Sequence, residues 1–192
     1  MKNLKGKDLI NVGIFTAIYF VVMMVIAMLG FIPIFIPLLI VLVPIFGGIP
    51  MMLYFSKIKK FGMLSITGLI CGVLMLLTGM GYWSIITGIA FGVIADLILK
   101  SGNYGSSKKG IVAHGVFSLW LLGNYIPVLV SRDSYYQQLI EGYGQEYADT
   151  LMGYMPMWML LVLTIAGFAC GVIGGVIGQK IFKKHFKRAG IV

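Results

Sequence analysis

Charge is what this sequence has least of. Only 11% of its 192 residues are Asp, Glu, Lys or Arg, against about a quarter in a typical soluble domain. None occurs between Asp8 and Lys57, Lys60 and Asp96, Lys109 and Arg132, or Asp149 and Lys180, which excludes a water-solvated surface over most of the chain. Cysteine is nearly absent as well. Cys71 and Cys170 both lie inside apolar runs, so neither a disulfide framework nor metal-ligand spacing is present. The two histidines, His114 and His185, are not paired for haem or metal. A membrane enzyme needs nucleophiles, acids or ligands at a common depth, and none is found, so neither enzymatic activity nor a cofactor is expected. No glycine loop of the phosphate-binding kind occurs, which excludes ATP hydrolysis by this chain itself. Low-complexity tracts, a separate soluble domain and a three-plus-three internal repeat are also missing.

What the sequence has is hydrophobicity: 59% apolar residues and a mean hydropathy of +0.98. A helix needs roughly 20 apolar residues to cross the hydrocarbon core. Gly30-Phe31-Ile32-Pro33 and Thr78-Gly79-Met80-Gly81 read as turns that divide the two longest runs. The expected fold is therefore a single all-α membrane domain over 1–192, a bundle of six transmembrane helices at about 9–29, 34–55, 61–77, 82–99, 111–130 and 156–179. The first run is too long for a cleaved signal and lacks a small-residue cleavage pattern, so it is counted as a span.

The few charges fix an orientation. Lys2, Lys5 and Lys7 precede the first span, and Lys57, Lys59 and Lys60 follow the second. Lys100, Lys108 and Lys109 lie between the fourth and fifth, and Lys180, Lys183, Lys184, Lys187 and Arg188 end the chain. In a six-span topology these 14 of the 15 basic residues share one side, which the positive-inside rule makes cytoplasmic, with both termini. The net +9 then divides into about +12 inside, after subtracting Asp8 and Asp96, and −3 outside, where Arg132 meets Asp133, Glu141, Glu146 and Asp149. That division reads as membrane topology rather than as nucleic-acid binding. Asp96 is expected to pair with Lys100 one helical turn on, and His114 to lie about one turn into span five.

The longest polar segment is 131–155, outside, between spans five and six. Tyr135, Leu139 and Ile140 suggest a short amphipathic helix that Gly142 and Gly144 end. Aromatic residues gather at the same depth: Tyr82 and Trp83, Tyr125, Tyr154 and Trp158. They form either a belt at the lipid headgroups or the wall of a pocket roofed by the long segment, since pockets combine apolar walls with a few placed polar groups. Asn124, a rare amide at membrane depth, either lines that pocket or hydrogen-bonds between helices. Small residues recur at four-residue spacing in three spans: Gly68 and Gly72; Gly88 and Gly92; Gly167, Gly171 and Gly175, with Gly174 and Gly178 beside them. Such faces let helices approach closely within the bundle. Span one has only Gly13 and Ala17 in its cytoplasmic half, among bulky residues such as Phe15 and Tyr19. That pair is either a packing notch inside the bundle or a docking notch for another membrane protein.

The opening KDLINVGIFTAIYFVV at 7–22 and PLLIVLVPIFGGIPMMLY at 37–54 resemble the Trep_Strep group of substrate-binding S components of energy-coupling factor (ECF) transporters. Length, six spans and the long outer segment before span six resemble that class too. The resemblance implies an S subunit that captures a small micronutrient outside and delivers it with a T component and two cytoplasmic ATPase subunits in the bacterial plasma membrane. S components carry an Ala-x-x-x-Ala notch on their first helix that meets the T component. Gly13 and Ala17 stand at that position, with Gly in place of the first Ala. Expected substrate contacts are Tyr82, Trp83, Asn124, Tyr125, Glu141, Tyr154 and Trp158, between the outer ends of spans four to six and the loops after spans one, three and five. A flat, partly aromatic ligand suits them, the acidic outer segment disfavours a strongly anionic one, and neither histidine is placed to bind a porphyrin iron. The partners expected are thus a small molecule, lipid and the ECF module, with no nucleic acid. The alternative is a small self-sufficient secondary transporter or channel, which should show intramembrane carboxylates.

Overall fold

A computed structural model describes residues 5–186. The terminal cations Lys2, Lys187 and Arg188 lie outside those residues, as does the side chain of His185. The elements in chain order are α1 (Gly6–Ala27), a 3-10 turn (Met28–Phe31), α2 (Phe35–Lys57), α3 (Met63–Leu77), α4 (Trp83–Ser101) and α5 (Ser107–Ser118). A second 3-10 stretch (Leu119–Asn124), α6 (Pro127–Val130), α7 (Arg132–Tyr143), α8 (Gln145–Tyr154) and α9 (Met159–Ile181) follow. The fold is all-α. Among the described residues, five stretches are long and apolar enough to cross a membrane: Gly6–Phe31, Phe35–Lys57, Trp83–Ser101, Ser107–Val130 and Met159–Lys184. The remaining apolar helix, α3, has 15 residues, about 22 Å at 1.5 Å per residue against a core of about 30 Å.

Two glycine seams hold the bundle. At α2 and α9, a Cβ on Gly48 would run into the Gly174 carbonyl, and one on Gly178 would meet the carbonyl of Gly48. At α3 and α4, Gly68 and Gly88 face each other so closely that a Cβ on either would strike the other's backbone. Lipid tails are as apolar as helix side chains, so this close packing replaces the hydrophobic gain that joins helices in water. Buried hydrogen bonds add to it. Trp120 Nε1 donates to the Tyr19 hydroxyl at 3.0 Å, and the hydroxyls of Thr16, Thr67 and Tyr54 form a chain at 2.9 and 3.1 Å. Each such bond between membrane helices contributes about 0.6 kcal/mol. By contrast Ile10, Ile14, Val21 and Val25 on α1 are exposed, as lipid-facing residues are.

Three expectations change. Span five is not one continuous helix: α5 stops at Ser118 and gives way to the 3-10 stretch and the four-residue α6. Gly123 and Pro127 explain the break, because Gly disfavours a helix interior and Pro removes a donor. The outer segment is two helices rather than one, with a hairpin at Gly144, whose φ of 88° suits glycine. Asp96 turns toward α3 rather than serving as a surface pair with Lys100. Its carboxylate accepts the N–H groups of Leu64 at 3.2 Å and Ser65 at 3.0 Å, and the Ser65 hydroxyl at 2.7 Å. The first N–H groups of a helix have no partner within it, and buried ones require an acceptor more than an exposed side-chain pair does. His114 is fully buried, and its Nε2 donates to the Pro44 carbonyl at 2.9 Å.

Candidate functional site

Because neighbouring helices alternate in direction, the C-terminal ends of α1 and α3 and the start of α2 and α4 lie at the same end of the bundle. The lysines that follow α2, end α4, open α5 and end α9 lie at the other. At the end without lysines sits a cavity of about 550 Å³, within the roughly 300–1,000 Å³ of small-molecule pockets. Its floor is apolar, from Met23, Ile36, Leu39, Val43 and Leu121. Its rim comes from the α3–α4 turn, Thr78 to Trp83, and its roof from α7 and α8. The break in span five borders it through Asn124, Tyr125 and Pro127. Irregular backbone at membrane depth is tolerated where protein or a cavity surrounds it, so the break and the cavity belong together.

Of the residues expected at the site, the structure brings together Tyr82, Trp83, Asn124 and Tyr125 as lining. Tyr82 and Trp83 stack with ring centroids 5.1 Å apart. The Tyr125 hydroxyl donates to the Ile36 carbonyl at 2.7 Å, which locks its ring between span five and α2. Asn124 Oδ1 accepts the Ser84 hydroxyl at 2.6 Å, so Asn124 both links α4 to span five and borders the cavity. Glu141, Tyr154 and Trp158 do not border it. Glu141 is exposed, and Trp158 is 64% exposed just ahead of α9, in the manner of a headgroup anchor. The cavity accordingly lies among α1 to α4 and span five, and α9 contributes nothing to it.

Sequence reading expected the outer segment as a roof but missed the roof residues that line the cavity. Tyr135, Leu139 and Tyr143 on α7 and Tyr147 and Leu151 on α8 line the cavity, each helix presenting residues four apart on one face. The signal was the continuation of the Tyr135–Leu139 stripe through Tyr143. The hairpin is fastened at several points. Tyr143 and Tyr147 stack at 4.7 Å. The Tyr147 hydroxyl donates to the Gly30 carbonyl at 2.6 Å, pinning the roof to the α1–α2 connection. Arg132 donates to the carbonyls of Met155 at 2.7 Å and Met152 at 3.2 Å, satisfying the end of α8. On the outer side, the Tyr136 hydroxyl and Gln145 both donate to Asp149 and hold its carboxyl below the usual aspartate range. Burial pushes the Tyr147 phenol up to about 12.

Gly13 and Ala17 are both exposed on α1, and a Cβ on Gly13 would meet nothing within 4 Å. Among the described residues, no other helix covers the pair. Among the described residues no group of three or more His, Cys, Asp or Glu is placed to hold a metal ion.

The Trep_Strep family model, described as a hypothetical bacterial integral membrane protein, matches residues 6–188. No curated protein matches the chain, and no solved structure does.

Proposed function

The chain belongs to the Trep_Strep family of bacterial integral membrane proteins, and from that premise we propose that it is the substrate-capturing S subunit of an ECF-type importer. One observation carries the reading: a roofed cavity of about 550 Å³ at the end of the bundle opposite its lysines. With the basic end cytoplasmic, that cavity faces outward, where a micronutrient is met. The protein then crosses the membrane six times, α3 included, with both termini inside. Substrate contacts are Tyr82, Trp83, Asn124 and Tyr125, joined by the roof tyrosines. Glu141, Tyr154 and Trp158 act at the entrance or the headgroup level.

The exposed Gly13 and Ala17 are the docking notch for the T component, which couples the subunit to two ATPases. Catalysis is no part of the role. A self-sufficient transporter is disfavoured because no ionisable Asp, Glu, Lys, Arg or His borders the cavity for ion coupling.

The assembly test is direct. Gly13→Leu with Ala17→Leu adds bulk at two exposed positions, and a Cβ on Gly13 meets nothing within 4 Å among the described residues. The double variant is expected to lose co-purification with a T subunit and to lose uptake, while the isolated protein folds and binds ligand as before. Normal assembly and uptake would remove α1 as the docking helix. Orientation is checked by single cysteines at Ser106 and Gln138, expected to label from opposite sides of a sealed cell, with Gln138 outside. Labelling from one side would end the six-span reading.

A further inference from the structure

No Asp, Glu, Lys, Arg or His borders the outer cavity, although its roof carries five charged residues. Asp133, Glu141, Glu146 and Asp149 are exposed on α7 and α8. Asp149 is engaged with Tyr136 and Gln145 on the outer side, and Arg132 is turned to the carbonyls at the end of α8. Charge is close by in sequence and is kept out of the lining.

Helix ends do not supply the missing charge. The C-terminal end of α3, with Met75 and Thr78, and the start of α4, with Tyr82 and Trp83, both border the cavity. Their partial charges are of opposite sign and offset each other. An ionised group moved from water into this space would lose its hydration and gain no counter-charge. The lining offers flat surfaces instead: the stacked pair Tyr82 and Trp83 at an interplanar angle of 27°, and Tyr143 and Tyr147 at 22°. Planar ligands gain most from such faces.

Asn124 adds direction. Its Oδ1 is taken by the Ser84 hydroxyl, and its amide nitrogen has no hydrogen-bond partner among the described residues. It borders the cavity, so it offers a donor there.

We propose that the part of the ligand held in this cavity is uncharged and planar, and that it presents a hydrogen-bond acceptor to the Asn124 amide. This rests on the capture reading and narrows it: any charged substituent of the substrate stays at the entrance, in water.

Three flat tricyclic probes separate the charges: lumichrome, which is neutral and carries ring carbonyls, proflavine, a cation, and anthraquinone-2-sulfonate, an anion. The full chain in lipid nanodiscs is dialysed against each at neutral pH, with protein-free nanodiscs subtracting partition into lipid. Lumichrome is expected to bind at least about tenfold tighter than either charged probe. Asn124→Leu should weaken lumichrome about five- to tenfold without moving the other two. Asn124→Asp should bring proflavine up, because it places a carboxylate where none stands. Tightest binding by a charged probe to the unmodified protein overturns the proposal and leaves the capture reading standing. Unchanged lumichrome affinity in Asn124→Leu overturns the acceptor assignment. Binding of none of the three overturns the proposal together with the capture reading.

Discussion

The two ends of this bundle are built on different principles. Toward the lysine-rich end, helices meet backbone to backbone: Gly48 against Gly174, Gly178 against Gly48, Gly92 against Leu64. The buried polar groups there bond to backbone, as Asp96 does to the start of α3 and His114 Nε2 to Pro44, while His114 Nδ1 has no partner among the described residues. At the other end glycines still admit backbone, Gly72 against Ile85 and Gly123 against Ser84, but large rings join them, span five loses its α-helical form, and a cavity remains. Contacts between backbones are short and unyielding, so the glycine end can adopt one arrangement only. The roof is held by side chains instead, the Tyr147 hydroxyl on Gly30 and the buried Leu139 and Leu151, and such contacts yield more readily than backbone against backbone. A binding site that must admit its ligand belongs at the second kind of end.

The largest effect should come from breaking the seam. Gly48→Leu or Gly174→Leu would push α2 from α9 against backbone atoms that cannot move aside. We expect a loss of about 3 kcal/mol or more, read as a large drop in resistance to denaturation in detergent and as failure to accumulate in the membrane. A normal melting profile for both variants would mean that the two helices are not as close as described.

A smaller and local effect is expected at the roof. Tyr147→Phe removes the hydrogen bond to the Gly30 carbonyl, worth about 1 kcal/mol. Hydrogen exchange should quicken in α7 and α8 and stay unchanged along α2 and α9. Equal quickening in both places would show that the two ends are not independent. The unmodified protein should show the same loosening in alkali. Burial raises the Tyr147 pKa in the folded state to about 12 from an ordinary value of about 10. The docked roof is therefore fully favoured below about pH 10 and loses that contribution as pH rises toward about 12. In Tyr147→Phe this part of the alkaline response should vanish.

The two ends also differed in how legible they were. The glycine pairs of α3, α4 and α9 could be read from four-residue spacing, because a packing face on one helix leaves a periodic trace whatever its partner. The partner of α9 could not be named so simply, since Gly47 and Gly48 stand between Pro44 and Pro50 and show no such repeat. At the cavity, Tyr82, Trp83, Asn124 and Tyr125 were legible as aromatic and amide residues at one depth. Trp158 shares that depth and chemistry yet faces away from the cavity, because α9 packs against α2 and α5 through its glycine side and leaves that residue outward. Depth is a one-dimensional property that hydropathy reports, whereas azimuth around the bundle depends on which helices are neighbours.

The sequence by itself determined that this chain is an all-α, multi-pass membrane protein. Long charge-free runs admit no other solvent, and a backbone in lipid must satisfy its hydrogen bonds within each segment. It also placed the lysines at one end of the bundle, since their order along the chain follows from the alternation of the helices. Only the tertiary structure decided that span five breaks beside a cavity, that Asp96 caps α3, and that a second helix completes the roof. Each of these rests on a contact between residues far apart in sequence: Ser84 with Asn124, Leu64 with Asp96, Gly30 with Tyr147. Local composition carries no record of such pairings, because many partners would satisfy the same donor or acceptor and only packing selects among them.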